Sequence, residues 1–418
     1  MARATWVLHT AAPARTSDMT SRERVQAAFQ HRQPDRTPFF EKLIKSPIAD
    51  LIVGRPSVSH NFVHRMRMLA SCDWDELVEA EAVELADTVE RLDMDLVCLG
   101  TNMGRGFARP TPVGEFTWRE GDAIVRFIPG SPWVERRPVD GIVPSVQEQE
   151  QAMLSSLEQD EPQPELPSED HFFVFRRVRE LLRDRGLDPA IFVSVYVMPV
   201  CTLPRYMFPW FHDRPEMLSR YYRRCSLRAL SLIPKYVELG ADIIALGGDL
   251  AADGGPLISP AHYRQFVLPH ICEQAELCHS LGAWCTTASD GDLWSILDVL
   301  LLESGVDGFE EIDAAAGMDL RRLKQSYGAR MTFIGNMDIR WLLPSAAPEQ
   351  VERATVECIE AGWGSGGHIL MSSNCIHEGI RPANFEAMVL AYRRYFGIEG
   401  APPLAVRSLN LPGYRIPS

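Results

Sequence analysis

No Cys-x-x-Cys pair occurs among the nine cysteines, their number is odd, and the chain is not small. That excludes a disulfide framework and fits reduced cytosolic thiols. There is no block of Lys and Arg, and 56 acidic against 42 basic residues leave a formal net charge of −14. Binding to nucleic acid or an anionic membrane needs clustered positive charge, so neither is expected as a partner. The short basic runs, Arg176-Arg177 with Arg179 and Arg220 with Arg223-Arg224, sit at helical spacing and read as solvated helix faces. No apolar run reaches the roughly 18 residues that a membrane helix needs. The N-terminal apolar stretch is too short for a signal peptide. No Gly-x-Gly-x-x-Gly follows the first strand-like run, so nothing marks a dinucleotide crevice. A cytoplasmic protein acting on a small molecule is the expectation.

What is present can fill a large core. The 418 residues are 46% hydrophobic, enough for a barrel of roughly 250 residues plus decorations. Residues 1–18 read as a disordered extension, 19–400 as one domain and 401–418 as a C-terminal tail. Thr20 followed by Glu23 is a capping box, and Val25, Ala28 and Phe29 continue at helical spacing. Eight short apolar or β-branched runs follow, at 36–41, 95–100, 191–198, 242–247, 283–288, 307–312, 331–336 and 368–374. Most are separated by helical stretches, which predicts a parallel sheet. The fold class expected is α/β: a (β/α)8 TIM barrel with an N-terminal helical extension and its active site at the C-terminal ends of the strands. A doubly wound open sheet is the alternative. Residues 114–137 alternate apolar and polar around Glu120-Gly121-Asp122 and predict a β-hairpin inserted after the second barrel strand. Residues 147–169, acidic and polar, predict a surface loop or short helix.

In such a barrel the residues just after each strand share one mouth. Here they include Glu41, Asn102, Asp249, Asp290, Glu311, Asn336, Asp338, Cys375 and His377. Carboxylates so crowded repel one another unless a cation sits among them. Asp290, Glu311 and His377 are the catalytic candidates. Glu41, Asn102, Asp249, Asn336 and Asp338 are the candidates for substrate binding. Asp290, Glu311, Cys375 and His377 together make a mixed O/N/S set that suits zinc, though no cofactor is certain. Plainer roles compete: Asp292 and Asp338 as helix caps, Cys375 as a small packing residue, His377 as a loop histidine. Cys285, in mid-strand, reads as core.

From about Met19 to Gly397 the sequence resembles the uroporphyrinogen decarboxylase superfamily. The likeness rests on Met19-Thr20-Ser21-Arg22-Glu23-Arg24 with Pro34-Asp35-Arg36-Thr37-Pro38, on the stretch GGDLAADGGPLISPAHYRQFVLP at 247–269, on Ser289-Asp290-Gly291-Asp292, on Gly335-Asn336-Met337-Asp338, and on Ile376-His377-Glu378-Gly379. True decarboxylases of the family carry an Arg-Gln-Ala-Gly-Arg-type motif after strand one. Here that region reads Glu41-Lys42-Leu43-Ile44-Lys45-Ser46, without the paired arginines that would grip porphyrin carboxylates. Thiol-using methyltransferases of the family hold zinc with His-x-Cys after strand five, where this chain has Ala288 and Asp290. The resemblance therefore implies a methyltransferase that moves a methyl group from a small donor, of methoxy-aromatic or methylamine type, to a corrinoid protein. A decarboxylase acting on porphyrin or another small acid, and a ligand-binding barrel without catalysis, are the alternatives. A homodimer is left open.

Overall fold

The computed structural model describes residues 19–129, 134–161, 163–198, 200–411 and 413–414. The expected N-terminal extension, 1–18, lies outside them. The helix Ser21–Phe29 starts as its sequence requires: the Thr20 hydroxyl accepts from the Glu23 backbone N–H, and the Glu23 carboxylate accepts from that of Thr20.

Seven strands form one parallel sheet: β1 (Leu96–Leu99), β2 (Ala190–Ser194), β3 (Ile243–Gly247), β4 (Trp284–Ala288), β5 (Gly308–Glu310), β6 (Thr332–Ile334) and β7 (His368–Ile369). Every strand lies beside its neighbour in the chain, and the order never reverses. An open doubly wound sheet needs such a reversal, so that alternative is excluded. The sheet is curled. The run expected as the first strand forms no regular strand, yet it reaches both edges. The Phe40 N–H donates to Leu370 O at 3.0 Å and that of Leu370 to Pro38 O at 2.8 Å, while the Asp95 N–H donates to Phe39 O at 2.8 Å. Buried Asp95 holds this segment in place, paired with Arg24 at 2.6 Å and Arg36 at 3.0 Å.

The concave face of the sheet carries Phe40, Leu96, Phe192, Ile243, Ile334 and Met371, and the helix Ser21–Phe29 covers it with Val25, Ala28 and Phe29. Phe29 stacks on Trp284 at 5.1 Å. The convex face buries a larger core beneath the outer helices. Strands apolar on both faces thus follow from a sheet packed on both sides.

The expected hairpin is a four-stranded antiparallel meander, Thr111–Gly114, Thr117–Glu120, Ala123–Phe127 and Val134–Pro138. Its turn is at Gly121-Asp122, where Gly121 has φ +58°. Trp118 and Phe127 pack on Val63, Met66 and Leu69 of the helix Phe62–Ser71. The acidic stretch after it holds a longer helix than expected, Val146–Glu158, with its own capping box at Ser145 and Glu148. The C-terminal tail packs back: Leu404 and Leu411 are buried, and the Tyr414 hydroxyl accepts from the Phe62 N–H at 3.0 Å. Among the described residues no helix is long and apolar enough to cross a membrane.

Candidate active site

At the C-terminal ends of the strands one cation sits among carboxylates. Lys42, at the end of the bridging segment, donates to Glu311, to Glu310 at 3.3 Å and to the Tyr196 hydroxyl at 3.0 Å. Its ammonium also lies 5.0 Å from the centre of the Tyr196 ring. Glu310 is fully buried and accepts from the Thr286 hydroxyl at 2.7 Å. Burial opposes the charge on Lys42, but Glu310, Tyr196 and Glu311 outweigh it, and the ammonium is held well above its ordinary value. Burial pushes the Glu311 carboxyl up, with the negative charges of Glu310 and Asp290 adding to it against Lys42. Glu311 also has a left-handed backbone, φ +56°, which β-carbon-bearing residues seldom adopt.

Asp290 stands after β4. Its Oδ2 accepts from the Asn374 side-chain amide at 2.9 Å, and its N–H donates to Asp249 Oδ1 at 3.4 Å. Burial, with Asp249 and Asp313 close enough to repel, pushes the Asp290 carboxyl up to about 6, against the pull of Asn374 and Lys42. The other Asp249 oxygen meets the Cys201 thiol at 3.7 Å. Gly291, at φ +89°, lets this turn press on a small hairpin, Ala251–Ala252 with Gly255–Pro256; a β-carbon there would sit 2.6 Å from Ala252 O. That hairpin carries Asp253, which binds Arg340 at 2.6 Å, and Arg340 reaches Asp313 at 3.1 Å.

Asp249, Asp290 and Glu311, three of the residues singled out from the sequence, are therefore gathered at one mouth. The others turn to the backbone. Both Glu41 oxygens are taken by Ser372, from its N–H at 3.1 Å and its hydroxyl at 2.6 Å, and burial pushes this carboxyl up to about 8. Asn102 donates to Met103 O and Asp170 O and accepts from the Val174 N–H. The Asn336 amide donates to Met318 O at 3.0 Å. Asp338 caps the following turn, accepting from the N–H groups of Arg340, Trp341 and Leu342. Asp292 likewise accepts from the Trp294 N–H at 3.0 Å.

The four expected zinc ligands do not make a coordination set. No three of Asp290, Glu311, Cys375 and His377 present ligand atoms within 4.8 Å of one another. Both nitrogens of His377 are engaged: Nε2 with Ile339 O at 2.9 Å, and Nδ1 as acceptor from the Gly379 N–H at 3.0 Å. A ring donating through one nitrogen and accepting through the other has no lone pair left for a metal. Cys375 is partly buried, and its thiol is pushed up by burial. His377→Ala is expected to destabilise the fold by about 1–2 kcal/mol, the loss of two such hydrogen bonds, measured by urea denaturation. Full stability with lost turnover would overturn that assignment.

Beside this cluster, across Tyr196, lies a cavity of about 650 Å³ whose lining includes Thr101, Ser194, Tyr221, Arg224 and Tyr236. That volume is in the range of small-molecule sites. Tyr196 belongs to that lining, and its hydroxyl meets Lys42.

Residues 195–395 match the family model described as Uroporphyrinogen decarboxylase (URO-D). The match begins at the end of β2 and takes in every later strand and the carboxylates after them. Over that segment the chain is similar to the uroporphyrinogen decarboxylase family. No curated protein matches it significantly. Among solved structures, a methyltransferase from Methanosarcina mazei is 17% identical with a TM-score of 0.56, over 91% of this chain and all of that one (100%). A putative vitamin-B12 independent methionine synthase from Listeria monocytogenes is 9% identical with a TM-score of 0.45, over 88% of this chain and 99% of that one. Lys42 falls outside the matched segment. The sequence reading passed over it because a lysine after a strand usually reaches solvent. The excess of carboxylates, which calls for a cation, was the signal that could have found it.

Proposed function

We propose that the chain is a methyltransferase-like enzyme that moves a methyl group from a small methoxy-aromatic or methylamine donor to a corrinoid carried by a partner protein. The reading takes the curled sheet as a closed eight-unit barrel, with residues 38–41 as its eighth strand and the carboxylate cluster at its mouth. The observation that carries it is Asp290, a buried acid held by Asn374 beside Asp249 at the C-terminal ends of the strands, whose carboxyl is pushed up to about 6. Demethylation breaks a carbon–oxygen or carbon–nitrogen bond. The bonding pair stays on the heteroatom, which takes up a proton as the methyl group departs. Asp290 in its acid form donates that proton, since a donor works best with a pKa near the operating pH. Asn374 fixes the Asp290 carboxyl, and Asp249 orients the substrate. Glu311, neutralised by Lys42, keeps the neighbouring charge balanced. The corrinoid, when bound, supplies the nucleophile that receives the methyl group. No step in this reading runs through zinc, because the residues at the mouth do not present a ligand set for it.

Decarboxylation of a porphyrin or another small acid is less well supported. Lys42 and Arg340, the cations facing these carboxylates, are already paired, so a polycarboxylate would meet an acidic mouth. The decisive assay mixes the protein with a reduced corrinoid protein and a panel of methoxy-aromatics and methylamines. The expected result is a change in corrinoid absorbance that needs both donor and protein. Silence across the panel, with tight porphyrin binding by fluorescence, would replace this reading with decarboxylation. Silence with neither would favour a ligand-binding barrel.

A further inference from the structure

A second cluster of ligating side chains lies at the opposite rim, where strands begin. His279 is in the last turn of the helix Leu268–Ser280, Cys285 is the second residue of β4, and Asp307 immediately precedes β5. One ligand atom from each lies within 4.8 Å of the others. The separations are 3.0 Å between His279 Nε2 and Asp307 Oδ2, and 3.8 Å between His279 Nε2 and Cys285 Sγ. A tetrahedral ion with bonds of about 2.0–2.3 Å spaces its ligands about 3.3–3.8 Å apart. The two separations from His279 are within a few tenths of an ångström of that spacing without an ion. Cys278 is buried in the same turn as His279, and its thiol meets that of Cys285. A sulfur, an imidazole and a carboxylate are a donor set for zinc or cobalt, not for calcium or magnesium. The His279 side chain is 45% exposed and that of Asp307 28%, which leaves a path from solvent.

A Cys-His-Asp catalytic triad is excluded by the same geometry. A triad uses the two imidazole nitrogens for different partners, whereas here His279 Nε2 faces both Cys285 and Asp307. Asp307 Oδ2 also accepts from the Cys285 N–H at 2.8 Å, so the carboxylate is positioned by the strand itself.

We propose that His279, Cys285 and Asp307 form a structural site for a thiophilic divalent cation such as zinc, stapling the helix Leu268–Ser280 to the starts of β4 and β5. Binding would release the Cys285 thiol proton to solvent and replace the His279–Asp307 hydrogen bond with bonds to the metal. Three protein ligands leave the fourth position to solvent, and the N-terminal rim of such a sheet is where stability rather than chemistry is built. The site is independent of the reaction assigned to the mouth.

The test is cobalt titration of the full-length protein after chelation. One equivalent should bind with a thiolate-to-cobalt charge-transfer band and tetrahedral d–d bands, and one equivalent of zinc should displace it and raise Tm. His279→Ala, at a half-exposed position, should keep the native circular dichroism. It should weaken binding by more than the roughly 10–100-fold lost with an outer-shell partner. Cys285→Ser should remove the charge-transfer band, and Cys375→Ser at the mouth should leave it. No thiolate band with folded wild-type protein would overturn the proposal. So would a band that survives His279→Ala and Cys285→Ser but disappears in Cys375→Ser.

Discussion

Lys42→Met is expected to destabilise the protein by about 3–5 kcal/mol at pH 8, the range for removing one partner from a buried ion pair. The side chain is 10% exposed and faces Glu310 and Glu311, which are 0% and 10% exposed. Methionine fills much of the volume but leaves both carboxylates without a cation. Their desolvation then stands uncompensated, which outweighs anything gained from the apolar replacement. The loss should depend on pH. Burial already pushes the Glu311 carboxyl up, and loss of the Lys42 ammonium pushes it further. An acid whose folded pKa exceeds its unfolded value binds more protons when folded, so stability falls as pH rises through that interval. The deficit should be largest in alkaline buffer and shrink towards pH 4, where the unfolded carboxyls are also protonated. Denaturant melts of wild type and variant at several pH values measure it. A deficit below about 1 kcal/mol, the level of an exposed pair, or one flat with pH would show that Lys42 is not the charge that holds this mouth together.

Asp290→Asn is expected to lower kcat by 10²- to 10⁴-fold, the usual contribution of a positioned proton donor, and to make the protein more stable. The wild-type carboxyl is raised from 3.8 to about 6. The folded state therefore favours its protonated form, and stability declines as pH rises from the ordinary carboxyl range to about 6. Above that the full cost is present, about 1–3 kcal/mol at 1.36 kcal/mol per pH unit. Asparagine is neutral at every pH and carries none of it. Wild-type turnover should fall about tenfold per unit above pH 6 as the acid form is depleted, and residual turnover in the variant should lack that slope. Activity assays and thermal melts on the same two proteins test both halves. A variant that keeps its turnover, or that is less stable than wild type at pH 8, would remove Asp290 from the role given to it.

The sequence disclosed most where burial is symmetrical. β3 and β4 lie within one residue of the runs read from it, because strands covered on both faces are continuously apolar. The run at 36–41 was read as a full strand, but only Phe39 makes a bridge there. The meander showed only its middle. Thr111–Gly114 and Val134–Pro138 are largely exposed and gain their place from hydrogen bonds to inner strands, so no apolar alternation announces them. At the mouth, acids after the strands were legible as a group but not one by one. Asp249, Asp290 and Glu311 converge, while Asn102, Asp338 and His377 satisfy backbone groups of the loops that follow. An Asp or Asn after a strand is as well suited to closing a turn as to holding a substrate, and a single chain does not separate the two. Lys42 escaped because its partners, Tyr196, Glu310 and Glu311, lie 154 to 269 residues away in the chain.

The Glu41 carboxyl meets Ser372 across 331 residues of chain. The two edges of the sheet therefore cannot be joined until nearly the whole polypeptide is available. During synthesis the segment 38–41 waits with the edge that will meet Leu370 unpaired, open to the wrong neighbour, and the entropy of closing so long a loop is met only at the final step. Truncation anywhere before β7 should leave a chain that aggregates rather than a smaller working enzyme. Production of this protein is then a race between ring closure and self-association, one that slower synthesis at lower temperature would favour.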